Sequence, residues 1–375
     1  MLVADTEIPA GNALIESIEG DCVRLRPDNR DSVCDWFYWH LRLRGCAGRK
    51  IRLIFSRDLT MTVRGAVVST DQGATWNWVD GYKPFARELT FDCGPADELR
   101  FCLAPPYTLA DLNQWLLRHE RNPLLRVHTL SRSRKGRAIP WLELGPPPGK
   151  ESAQVVLTAR HHACEVIGSH VLEGLMERYL TASARGAIRF LIVPLVDLDG
   201  VEDGDQGKGR FPHDHNRDYG EEPLYPEIRE IKNLLRSETD SRWKIALDLH
   251  CPFVVGDDCN HHIYLVGSED PLNARLQSRF ARILEASLSG PLPFSASDLL
   301  AFGSKWNNAS NYRQGLSASR WMLAASKNSA MTATLEIPYA TARGVPITPQ
   351  SARLFGGDLL TAIEKTCFKG NHDYP

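Results

Sequence analysis

No stretch of the 375 residues approaches the ~20 consecutive apolar residues that cross a bilayer. The N-terminal run MLVADTEIPAGNALIES also lacks the basic start and continuous apolar core of a secretory leader. Both absences point to the cytoplasm. Charge of one sign is missing too: 44 Lys and Arg face 46 Asp and Glu, a net charge of -2. That leaves no basic footprint for nucleic acid or an acidic membrane, so neither is an expected partner. The nine cysteines are odd in number and contain no CxxC pair, which argues against a disulfide framework or a structural zinc cluster. Most read as small core residues. Without internal repeats or low-complexity tracts, the remainder is an ordinary globular chain, 43% hydrophobic and 24% charged, of a length that suits two domains.

What is present changes character part-way along. Up to about residue 105 the chain is rich in Val, Thr, Phe, Trp and Arg; WFYWHLRLRG and RKIRLIFSRDLTMTVRG alternate apolar with polar, and STDQGATWNWVDGYKP reads as a turn-punctuated hairpin. The pattern predicts an antiparallel β-sandwich with one face wet. In CLAPPYTLADLNQWLLRH two prolines end the strand, Thr108 is placed to cap, and Leu109, Leu112, Trp115 and Leu116 recur at helical spacing. The boundary is therefore set near Pro105, giving domains 1–105 and 106–375. Beyond it, AQVVLTA, AIRFLIVPLV, WKIALDL, HIYLVG and MTATLEI are short apolar runs typical of buried parallel strands, separated by helical stretches such as SHVLEGLMERYL. An α/β sheet with helices on both faces follows.

Ligands of such sheets bind beyond the carboxyl ends of the strands, and the reactive side chains of this sequence gather there. The first run ends in Arg160, His161, His162 and Glu165, the third in Asp248 and His250, and the last contains Glu336. Two imidazoles and a carboxylate at one sheet edge supply the three N/O ligands of a catalytic zinc, with a fourth position left for water or substrate. A further carboxylate can then act as general base. By spacing alone, either His161 or His162 can join Glu165. Asp248, two residues from His250, is placed to orient a ligand. Cys164 and Cys251 adjoin ligand candidates and read as packing, while His213, His215, His261 and His262 read as loop or strand residues.

The intervening loop, DLDGVEDGDQGKGRFPHDHNRDYG, fails as an EF-hand counted from Asp197, because Glu202 and Lys208 occupy the sixth and twelfth positions. After it, Asn216 and Arg217 pair an amide with a planar guanidinium, a combination that grips a carboxylate.

Taken in order, HHACE, PLVDLDGVEDG, HNRDY, LDLH and ATLE resemble the zinc carboxypeptidase family, and the β-rich N-terminal part with its PPYTLADL junction is similar to the cytosolic carboxypeptidase subfamily. The resemblance implies a mixed sheet flanked by helices behind the β-sandwich. It assigns zinc to His162, Glu165 and His250, the general base and proton shuttle to Glu336, and the substrate's terminal carboxylate to Asn216 and Arg217. An arginine that polarises the scissile carbonyl matches Arg210, with Lys208 as the second candidate, and Tyr312 is the nearest match for a tyrosine that closes over substrate. HACE and DHN depart from the family's HPGE and DLN, so substrate choice is open. Within QGLSASRWMLAASKNSAMTATLE, Arg320 or Lys327 would suit an acidic terminal side chain and Trp321 an apolar one.

The expected function is thus zinc-dependent removal of a C-terminal residue, acidic ones included, from peptide or protein tails, with Zn2+ as the only cofactor. Two rivals stand beside it: a zinc amidohydrolase of N-acyl amino acids on the same fold, and a non-catalytic binding protein that works through its β domain.

Overall fold

The computed structural model describes residues 1–181, 188–237, 243–327 and 329–368. Nine strands open the chain: β1 (Val3–Asp5), β2 (Leu14–Glu19), β3 (Cys22–Arg26), β4 (His40–Arg44), β5 (Lys50–Phe55), β6 (Val67–Ser69), β7 (Asn77–Trp78), β8 (Glu88–Asp92) and β9 (Glu98–Cys102). They form two sheets, ordered β1-β4-β9-β6-β7 and β2-β3-β5-β8. The expected hairpin is present as β6 and β7. Pairing is antiparallel except between β3 and β5, which run parallel, so this layer is not wholly antiparallel. WFYWHLRLRG is also shorter as a strand than its alternation predicts, beginning only at His40. The reason is a substitute partner: the Gln206 side chain accepts from the Tyr38 N–H at 2.9 Å and donates to the Tyr38 carbonyl at 2.9 Å. Tyr38 thereby satisfies its backbone without a neighbouring strand.

Helix α1 (Leu109–His119) follows, with Thr108 at its N-cap; the Asp111 carboxylate accepts from the Thr108 N–H at 2.7 Å and from its hydroxyl at 2.8 Å. Next come β10 (Leu125–Arg132), β11 (Ala138–Leu144), β12 (Ala153–Ala159), helix α2 (Ile167–Thr181), β13 (Ile188–Val193), helices α3 (Leu198–Asp203) and α4 (Pro226–Ser237), and β14 (Ile245–His250). The chain ends with β15 (Tyr264–Leu265), α5 (Pro271–Glu285), α6 (Ala318–Ala325), β16 (Met331–Glu336), the short pair β17 (Thr341–Ala342) and β18 (Val345–Pro346), and α7 (Pro349–Phe368). Seven strands make a third sheet, ordered β10-β11-β13-β12-β14-β16-β15.

The parallel centre is β13-β12-β14-β16. HIYLVG, expected to be parallel as well, contributes only Tyr264 and Leu265 and pairs antiparallel with β16 at the sheet edge. On the other side β10 and β11 form an antiparallel pair, which makes the sheet mixed. Both faces are covered, and the period-two alternation shows how. Val155 and Leu157 join the core under α2, α5 and α7, whereas Val156 joins the core under α4 and α6. The first of these cores runs without a break from Leu2 to Cys367, so the N-terminal sheets and the seven-stranded sheet share one apolar interior. No described helix is long and apolar enough to cross a membrane.

Candidate metal centre and cleft

All six residues of β14, IALDLH, are buried, and in the parallel register His250 lies beside Glu336 of β16. Two chemically active side chains thus reach the carboxyl edge side by side, because their strands are apolar enough to be buried on both faces up to that point. The third contribution comes from the turn after β12. Arg160 takes a left-handed backbone, φ 64°, and its buried guanidinium donates to the carbonyls of Ala163 and Tyr107 and to the Ser169 hydroxyl. That clasp closes the turn and aims His162 and Glu165 inward. Gly207 packs against the same turn at φ 75°, where a Cβ would sit 2.2 Å from the Ala163 nitrogen. Only glycine fits there.

His162 Nδ1 lies 2.8 Å from Glu165 Oε1, His250 Nδ1 lies 2.6 Å from Glu165 Oε2, and the two Nδ1 atoms are 3.2 Å apart. A tetrahedral zinc with bonds of about 2.0–2.1 Å holds its ligand atoms roughly 3.3 Å apart, so this donor set suits one ion. A second observation fits as well: the buried Glu336 carboxylate leaves Oε2 without a hydrogen-bond partner among the described residues. An orphaned buried oxygen beside three convergent ligand atoms is what a hydrated catalytic metal would satisfy. Burial foremost, and after it the Glu165 charge against the opposing pull of His250, pushes the Glu336 carboxyl up to about 7. Glu165 goes the other way, because the imidazoles of His162 and His250 outweigh its burial and hold it well below the usual carboxylate range.

Each histidine's outer nitrogen is held by a carboxylate. His250 Nε2 lies 2.6 Å from Asp248 Oδ2, and His162 Nε2 lies 3.2 Å from Asp214 Oδ1. Such pairs fix ring orientation and tautomer. Asp248 is itself held by the Thr158 hydroxyl at 2.7 Å and by His161 Nδ1 at 2.8 Å, while His161 Nε2 meets the Tyr219 hydroxyl at 2.8 Å. His161, Asp248 and His250 are close enough to share an ion of their own. Their nitrogens and oxygens are already bonded to one another, however, and neither His161 nor Asp248 lines the cleft, so they serve as the buttress behind His250.

The cleft in front of these ligands has a volume of about 270 Å³. Asn216, Arg217, Tyr312 and Lys208 line it together with His162, Glu165, His250 and Glu336. Asp214 caps the short turn His215–Arg217 by accepting from the Asn216 N–H at 2.7 Å, so one carboxylate ties a metal-ligand candidate to the Asn-Arg pair. The Asn216 amide oxygen accepts from the Ala318 N–H at 2.9 Å, and the Arg217 guanidinium lies 5.5 Å from the centre of the Tyr312 ring.

Arg210 differs from expectation. Its guanidinium pairs with Asp197, with Asp205 at 3.1 Å and with Asp31 at 3.7 Å, and it is absent from the cleft lining, where Lys208 stands instead. Three carboxylates outbid one distant carbonyl for a guanidinium fork. Trp321 does not line the cleft either; it packs in the core beside Tyr219, under α4 and α6. Lys327 is exposed, and Arg320 pairs with Glu269 at 3.2 Å while stacking 3.7 Å over the Tyr312 ring. Its neighbour Asn328, in the same stretch, lies outside the described residues. Cys164 is buried with its sulfur 3.6 Å from the Tyr339 hydroxyl, consistent with packing. The cleft also recruits Trp36, Phe253, Trp306, Ser317, Ser319 and Thr334, to none of which the sequence had assigned a role. Asp214 was legible only as a letter in DHN; its reach to His162 follows from the fold.

Residues 112–261, which include both histidines, Glu165, Asn216 and Arg217, match the family described as zinc carboxypeptidase. Over that stretch the chain is similar to the zinc carboxypeptidase family. Among curated relatives, it is 29% identical over 212 residues to cytosolic carboxypeptidase 2 of Homo sapiens, covering 51% of this chain and 23% of that protein. It is 27% identical over 258 residues to cytosolic carboxypeptidase 6 of Caenorhabditis elegans, covering 60% and 56%. The chain thus spans between about a quarter and just over half the length of these relatives. Its fold matches that of a metallo-carboxypeptidase from Burkholderia cenocepacia with a TM-score of 0.78 at 20% identity, over 98% of this chain and 99% of the other. A Pseudomonas aeruginosa metallo-carboxypeptidase, solved with (2-guanidinoethylmercapto)succinic acid, aligns with a TM-score of 0.75 at 18% identity, over 96% and 98%. The mixed sheet with its preceding β layer is therefore a known arrangement.

Proposed function

We propose that the protein is a zinc-dependent carboxypeptidase that removes the terminal residue from peptide or protein tails in the cytoplasm. The observation that carries this reading is the convergence of His162, Glu165 and His250 beside an unpartnered buried carboxylate oxygen of Glu336. Zinc bound there would supply Lewis acidity toward the scissile carbonyl and lower the pKa of water. Glu336 takes the proton from the attacking water and returns it to the leaving amine, a role suited to a carboxyl pushed toward neutrality. Arg217 and the Asn216 amide hold the terminal carboxylate. Lys208, the ammonium lining the cleft, is the better placed cation for the developing oxyanion, with Arg210 reassigned to bracing the loop through Asp197 and Asp205.

A polar or acidic terminal side chain suits the site best. Among the described residues, Ser317, Ser319 and Thr334 line it, Lys208 and Arg217 are its cations, and its lining acids are Glu165 and Glu336, the proposed ligand and base.

The test is a peptide panel ending in Glu, Asp, Lys, Phe or Leu, followed by mass spectrometry with and without chelator. One residue should be lost, fastest from Glu and Asp, and chelator should stop it. Cleavage of N-acyl amino acids with all peptides untouched would establish the amidohydrolase instead. In the same assay Lys208→Ala should lower kcat by about 10²–10³-fold with KM little changed. Arg210→Ala should act chiefly on thermal stability; a larger kcat loss in Arg210→Ala than in Lys208→Ala would reverse the two roles.

A further inference from the structure

The residues that line the cleft fall into two sets by their own contacts. Asn216, Arg217, Asn311 and Tyr312 form one: Arg217 donates to the Asn216 carbonyl at 2.8 Å, reaches Asn311 Oδ1 at 3.5 Å and faces the Tyr312 ring. Trp36 and Phe253 form the other, edge to face with ring centres 5.2 Å apart, and both pack on Phe37 at 4.9 and 5.1 Å. Among the described residues no hydrogen bond or ring contact joins the two sets, and the metal-ligand candidate His250 meets the first of them, its Nε2 lying 3.2 Å from Asn216 Nδ2. Trp36 comes from the N-terminal part of the chain, yet it is fastened to the catalytic loop. The Asp31 carboxylate accepts from the N–H groups of Gln206 at 3.0 Å and Gly207 at 2.8 Å, Ser32 donates to the Lys208 carbonyl at 2.7 Å, and Val33 donates to the Gly209 carbonyl at 3.0 Å. Three residues after Val33, Trp36 is half-buried and lines the cleft.

This placement has a consequence for the substrate, resting on the carboxypeptidase reading above. With the terminal carboxylate at Asn216 and Arg217 and the scissile carbonyl at Glu336, the residue on the amino side of that bond must extend away from Asn216, along the remaining wall. We propose that Trp36 and Phe253 form the subsite for that residue's side chain, and that the subsite takes an apolar or aromatic group. Two aromatic rings meeting edge to face offer a broad apolar surface with no hydrogen-bond demand from their faces. The N-terminal part of the chain, through the segment between β3 and β4, is then part of the substrate site, supplying one of its two rings.

The experiment compares dansylated peptides that share one terminal residue and carry Phe, Leu, Ala or Gly before the scissile bond. It uses the wild-type zinc enzyme, Trp36→Ala, Trp36→Phe and Phe253→Ala, with zinc content and thermal midpoint measured alongside. The wild type should favour Phe over Gly by about tenfold or more in kcat/KM, Trp36→Phe should keep most of that ratio, and Trp36→Ala and Phe253→Ala should bring it close to one. Should Trp36→Ala fail to fold, Phe253→Ala reads the same wall from the catalytic side. A wild-type enzyme that cleaves all four peptides equally, or a Phe253→Ala variant that slows Phe and Gly peptides by the same factor, overturns the subsite and leaves the carboxypeptidase reading standing. No chelator-sensitive cleavage of any peptide overturns both.

Discussion

Glu336→Gln should lower kcat by about 10²–10⁴-fold while the protein still binds one zinc. The amide keeps the size of the side chain and leaves His162, Glu165 and His250 untouched, but it cannot accept the proton of the attacking water. The same substitution should not destabilise the metal-free protein. Glu336 is a buried carboxyl near Glu165, pushed up to about 7 by burial first, and it has an oxygen with no partner among the described residues. A neutral amide removes that unfavourable charge, so the thermal midpoint of the apo form should stay level or rise. Peptide hydrolysis at the wild-type rate in a fully folded Glu336→Gln enzyme would remove Glu336 from the mechanism.

His162→Ala should act twice. It deletes a metal-ligand candidate, so zinc content measured after dialysis should fall to background and hydrolysis with it. It also deletes the imidazole that sits between Glu165 Oε1 at 2.8 Å and Asp214 Oδ1 at 3.2 Å, both carboxylates being largely buried. Breaking a buried pair on one side costs on the order of 3–5 kcal/mol, a loss the thermal midpoint of the apo protein would register. His161→Ala provides the contrast. Because His161 meets the site through Asp248 and by stacking beside the His250 ring, and not as a ligand lining the cleft, its removal should keep a zinc stoichiometry near one with affinity reduced about 10–100-fold. Full zinc in His162→Ala and none in His161→Ala would exchange the two assignments.

That contrast marks the limit of local reading. HHACE presents two histidines at three and four residues from Glu165, and spacing admits both. The fold separates them: Arg160 turns the backbone left-handed, His162 then faces Glu165, and His161 is carried to the other side, toward Asp248 and Tyr219. A similar ambiguity held for Lys208 and Arg210, two residues apart on one loop. The choice between them depends on Asp31, which lies far away in the chain and helps draw Arg210 off. Trp36 carried no motif that would place it beside a metal centre more than a hundred residues further on.

The sequence by itself determined the layered α/β architecture, the strands that end at the active edge, and the types of side chain delivered there. Apolar runs that must be buried on both faces leave their few polar residues nowhere to go but the strand ends, so Asp248, His250 and Glu336 were legible from pattern alone. Only the tertiary structure decided which neighbour each charge meets, which histidine turns inward, and that the N-terminal part walls the cleft. Those outcomes depend on contacts between residues far apart in the chain, such as Asp31 with Gly207 and Tyr38 with Gln206. Periodicity describes how a segment meets its own layer, and it carries no information about which distant segment will supply the partner.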